Sequence, residues 1–149
     1  MDILSAMVKL RAIEAALSIT SPVTLAVKRT YLWIPHQGSA VPDAPAWLNT
    51  YQLQEHNVVN RRFTSIYTVS MNLVLREANL DRAGEIALNF HVALKNALEV
   101  EVNQTLTSTV NEIRNFRTAR ELPAVLEIGK QAFVGLSELL DLQIVTTMT

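Results

Sequence analysis

The sequence predicts an α+β fold: a mostly antiparallel β-sheet flanked by two main α-helices, in a single domain spanning 1–149. Three observations carry this expectation. Across 61–76, Phe63, Ser65, Tyr67, Val69, Met71, Leu73 and Leu75 alternate with Arg62, Thr64, Ile66, Thr68, Ser70, Asn72, Val74 and Arg76. That two-residue period marks a strand with one wet face. From Leu80 to Val102 the apolar residues change to helical spacing, with Ile86, Phe90, Ala93, Leu94, Ala97 and Leu98 on one side. A sheet half-covered by helix lets both bury their apolar faces.

The remaining elements follow in order. Residues 2–18 set Ile3, Met7, Leu10 and Leu17 on one helical stripe, with Asp2 placed to cap the first turn and Pro22 closing the segment. Leu25 to Ile34 is aromatic and β-branched and reads as a strand stopped by Pro35. From about 35 to 60 the prolines Pro35, Pro42 and Pro45, with Gly38, Asp43 and Asn49, break any period, so a long Pro-rich loop is expected. Trp47 and Tyr51 within it either fold back onto the domain or anchor a neighbour. Asn79 and Asp81 offer caps for the second helix, which stops near Leu98 because Glu99 and Glu101 suit the negative end of a helix dipole poorly. Thr105 to Thr109 reads as a polar, β-rich connection. Thr109 to Glu121 fits a capped helix or an edge strand equally well. Leu122 to Ile128 and Leu136 to Met148 are expected strands, with Gly129 and Lys130 turning between them.

Composition narrows the function classes. Thirteen basic against fourteen acidic residues leave a net charge of −1, so the chain lacks the basic footprint of a tight nucleic-acid binder. Charged residues are only 18% and hydrophobic ones 49%, with mean hydropathy +0.17, a surplus that points to a subunit interface. The chain has no cysteine, which excludes disulfides, thiolate metal sites and cysteine nucleophiles. The first residues form a charged amphipathic pattern unlike a secretory leader, and the apolar stretch 15–27 is too short to cross a bilayer.

No catalytic, metal or cofactor motif emerges. His36, His56 and His91 have no partner at metal-ligand spacing, and His91 reads as a packing or surface residue. A hydrolase site from His36, Ser39 and Asp43 lacks the nucleophile elbow. The glycines Gly38, Gly84, Gly129 and Gly135 are scattered, so no phosphate cradle is expected. Asn103-Gln104-Thr105 matches a glycosylation sequon with no leader to support it. Basic residues cluster as Arg61 and Arg62, and as Arg114, Arg117 and Arg120. They are either a solvated face paired with Glu112 and Glu121 or a contact for an acidic partner or nucleic-acid backbone.

Taken together, LAVKRTYLWIP, the Pro-rich stretch, RRFTSIYTVSMNLVL, DRAGEIALNFHVALKNAL and PAVLEIGKQAFVGLSELLDLQIV resemble, in element order and in the Phe133-Val134-Gly135 step before the closing strand, the tail terminator (tail completion) proteins of long-tailed bacteriophages. The resemblance covers nearly the whole chain. It implies a virion structural protein and no enzyme. A homo-oligomeric, hexameric ring would cap the tail tube, stop its polymerisation and present a docking face to the neck connector. It would sit at the head-proximal end of the tail, after assembly in the host cytoplasm, with DNA passing through the lumen and no membrane contact. Trp47, Tyr51 and Phe133 are then interface candidates, and Arg61, Arg62, Arg114, Arg117 and Arg120 lumen or partner-facing ones. Alternatives are a tail tube or other connector protein, or a small enzyme using the 35–60 loop with His36 and His56.

Overall fold

A computed structural model describes residues 2–32, 43–128 and 131–147. Helix α1 (Ile3–Ala15) opens with the expected cap, Asp2 accepting from the Ser5 backbone N–H. Two short strands, β1 (Ser18–Ile19) and β2 (Leu25–Ala26), pair with each other. Then follow β3 (Arg29–Tyr31), β4 (Ala46–Val59), β5 (Arg62–Leu75), α2 (Leu80–Leu98), a 3-10 turn (Glu101–Thr105), β6 (Glu112–Thr118), β7 (Ala124–Ile128) and β8 (Gln131–Thr147). The main sheet runs β3-β4-β5-β8-β6, with β7 on the same side of β8 as β6. Only β3–β4 is parallel; every other described pair is antiparallel. The α+β class expected from the periodicities is the class observed.

Parity along β5 and β8 decides which face is covered. Val69, Met71 and Leu73 pair with Leu140, Glu138 and Leu136 and turn toward the helices, where Met7, Leu10, Ile86, Phe90 and Leu94 meet them in the main core. A smaller cluster of Leu48, Val74, Ala124, Leu126 and Phe133 lies apart from it. At Gly135 the chain passes so close to β5 that a Cβ would sit 1.8 Å from the Leu73 carbonyl oxygen, so only glycine fits. Two side chains cap the far end of α2: Asn103 Nδ2 donates to the Ala97 carbonyl at 2.8 Å, and Gln104 Nε2 donates to that of Leu98.

Several expectations need correction. The 35–60 loop is largely strand: β4 covers fourteen residues and pairs with β5 along its length. Residues 25–34 do not form one strand. They hold β2 and β3, which belong to different sheets, while Trp33 and Ile34 lie outside the described residues. The open choice for 109–121 resolves as strand β6, broken by a bulge between Arg114 and Arg117 with Asn115 at φ 54. Thr105 to Thr109 is not β-like, because Leu106, Thr107 and Ser108 are all left-handed. The proposed Gly129–Lys130 turn, Met148, and the His36 and Ser39 part of the imagined hydrolase site lie outside the described residues.

Candidate functional site

The face of the main sheet turned away from α1 and α2 gathers side chains from β4, β5, β8 and β6. One cross-strand row joins Gln52, Thr68, Asp141 and Arg114. Bulges flank it on both sides, between Leu53 and Glu55 on β4 and between Arg114 and Arg117 on β6. A bulge bends its strand and re-aims the neighbouring side chains. The result is an open groove of about 560 Å³ lined by Gln54, Glu55, Thr68, Arg117, Leu139 and Asp141, among others.

Asp141 is the centre of this groove. Its Oδ1 accepts from Thr68 Oγ1 at 2.9 Å and its Oδ2 from Asn115 Nδ2 at 3.1 Å, while Arg117 Nη1 stands 3.5 Å away. Burial pushes its pKa up, but these donors and the guanidinium outweigh that and hold it below the ordinary range. The left-handed Asn115 brings its own amide to Asp141, and its carbonyl accepts from Arg117 Nη1 at 2.6 Å. Two rows further along the same face, Ser137 Oγ donates to Asn72 Oδ1 at 2.8 Å, beside a second hollow that includes Arg120. Arg120 donates to the Val125 carbonyl at 2.9 Å. The trio Arg114, Arg117 and Arg120 thus borders one sheet face, although on a bulged strand and its exit and not on a helix.

Arg61 and Arg62 are elsewhere. They close the β4–β5 hairpin, where Asn60 and Arg61 take φ 49 and 64 in a left-handed two-residue turn. Trp47 is fully buried in the main core, and Phe133 is 6% exposed in the smaller cluster. Neither offers a surface anchor on the chain as folded. Tyr51 is half-buried and meets Tyr67 edge-on at 6.1 Å. The aromatic residues of β4 therefore fold back onto the domain.

The described histidines are structural in setting. His56 Nδ1 lies 2.8 Å from Ser65 Oγ, and its exposed ring stacks on Phe63. No carboxylate orients that pair among the described residues, and no group of three or more metal-ligating side chains occurs there. Asp43 pairs with Arg29 at 3.5 Å. His91 on α2 stacks on Phe116 of β6 and hydrogen-bonds the buried Glu138. That pair and the buried Glu14 escaped sequence reasoning, although both glutamates occupy core positions of their periods: Glu14 follows Met7 and Leu10, and Glu138 lies between Leu136 and Leu140.

Among the described residues no helix is long and apolar enough to cross a membrane. No protein-family model and no curated protein matches this chain.

Proposed function

We propose that this chain is the subunit of a closed ring that terminates a tubular phage tail, working by shape and not by turnover. The observation that carries this reading is the polar stretch of the sheet face turned away from the helices. A passage for a polyanion must be wet without gripping what passes through it. Thr68, Ser70, Asn72, Ser137 and Gln143 supply hydroxyls and amides on this face. Two of the arginines along it stand beside carboxylates, Arg114 with Glu112 and Arg117 with Asp141, each at 3.5 Å, so their positive charge is offset locally. Exposed apolar groups gather on the helices and at the end of β4, with Leu4 and Val8 on α1, Leu80 and Leu88 on α2, and Val58 and Val59 near the hairpin turn. Such surfaces suit identical neighbours. A terminator must also match the tube on one face and refuse another tube subunit on the other.

Electron microscopy and light scattering of the purified protein test this reading. The expected result is a single closed ring of hexameric mass that, added to polymerising tube subunits, caps them and halts growth. Long tubes formed by this chain alone would instead identify a tube subunit, and a lone monomer at micromolar concentration would remove the ring altogether.

A further inference from the structure

We infer that the β4–β5 hairpin turn of one copy seats on the exposed face of α2 of a second copy, Arg61 and Arg62 meeting Asp81 and Glu85. The inference rests on the self-assembling role proposed above and names the contact that holds the copies together.

The hairpin turn is built for contact. Val58 and Val59 are 53% and 64% exposed, and the next two residues take the left-handed conformation. A two-residue turn of this kind favours glycine at its second position, yet Arg61 occupies it at φ 64. Backbone held in a costly conformation at a surface is a sign of function. Neither the Arg61 nor the Arg62 side chain has an ion-pair or hydrogen-bond partner among the described residues. The turn is therefore a greasy, doubly positive tip.

The complementary surface lies on α2. Asp81, Glu85, Leu88 and Val92 fall on one stripe of the helix and are all exposed. Leu80 beside them is 65% exposed. Arg82 is taken by Glu77 at 3.2 Å, whereas Asp81 and Glu85 have no basic partner among the described residues. Two unpaired acids beside leucines match two unpaired arginines beside valines.

These parts cannot meet within one chain. The turn lies at the Arg62 end of β5, and α2 starts just beyond the Leu75 end, roughly 43 Å away at about 3.3 Å per residue. The contact therefore joins two different surfaces of two copies. Such head-to-tail contacts close into a ring when the rotation between copies allows it. Apolar burial supplies the attraction, and the charges set register and reject a tip-to-tip arrangement that would oppose arginines.

Charge reversal on the full chain tests this directly, read by sedimentation at low salt. Arg61→Glu with Arg62→Glu, or Asp81→Arg with Glu85→Arg, is expected to weaken self-association at least tenfold, and the four substitutions together to restore it. The lack of native cysteine permits a second readout: mixing Val59→Cys and Leu88→Cys variants should give the mixed disulfide. Assembly untouched by either reversal overturns this contact and leaves the ring standing. Val59→Cys homodimers without the mixed product also overturn it, in favour of tip-to-tip pairing. A parent chain that stays monomeric overturns the contact and the ring together.

Discussion

The carboxyl of Glu14, at the end of α1, accepts a 2.6 Å hydrogen bond from Asn49 Nδ2 on β4, and Asn49 also donates to the Tyr31 carbonyl at 3.0 Å. Helix, edge strand and central sheet are tied together at this one buried point. Arg11 reinforces it by donating to the Thr30 carbonyl at 3.0 Å. The second Glu14 oxygen has no partner, so the group is a poor host for negative charge.

Burial therefore raises the Glu14 pKa from 4.5 to about 8, with the Asn49 hydrogen bond and Arg11 opposing. Because the folded state holds the proton more tightly, this group's stabilisation is complete below about pH 4.5 and is lost as pH rises through 8. Glu14→Gln should abolish that loss. Urea unfolding is expected to show the variant close to the parent at pH 5 and more stable by roughly 2–5 kcal/mol at pH 9.

Glu138 poses the same problem on the other side of Met71. It is fully buried, one oxygen lacks a partner, and burial raises its pKa against the opposing hydrogen bond and charge of His91. Removing the histidine alone leaves that carboxyl stranded. His91→Ala should cost about 2–4 kcal/mol near neutral pH, whereas His91→Leu combined with Glu138→Leu should cost less than the two single changes summed. A double-mutant cycle in urea measures the difference.

Gly135→Ala would set a methyl 1.8 Å from the Leu73 carbonyl oxygen and 3.2 Å from Leu126 Cδ1. Backbone on the central strand cannot yield as a side chain would. The expected loss is about 3 kcal/mol or more, or failure to fold, read by thermal melting and soluble yield.

Arg61→Gly separates fold from assembly. Relief of the left-handed arginine should raise monomer stability by roughly 0.5–1 kcal/mol, while loss of one guanidinium weakens self-association. Denaturation under dissociating conditions and sedimentation of the same sample check the two halves.

Periodicity made β5 and α2 legible because each has one better-covered face over most of its length, both sides of β5 being buried only at its 73–75 end. β4 has no such contrast. Ala46, Trp47, Leu48 and Asn49 are all buried, and every residue from Gln52 to Val59 is exposed, so no alternation survives in the sequence. In β6 the bulge at Asn115 shifts the parity halfway and leaves helix and strand patterns equally matched. Of the candidate site, the arginine trio was visible as a cluster, but Asp141 gave no sign of its role because its partners Thr68 and Asn115 are distant in sequence.

By itself, then, the sequence determined the α+β class, both main helices, the Asp2 and Asn79 caps and the wet and dry sides of the central strand, all set by contacts a few residues apart. Tertiary structure alone decided that Trp47 is core and not anchor, that Glu14 and Glu138 are enclosed, and that Gln52, Thr68, Asp141 and Arg114 share a row. Those features depend on which strands become neighbours. Strand pairing is chosen by the global burial of apolar faces, which no local window of residues encodes.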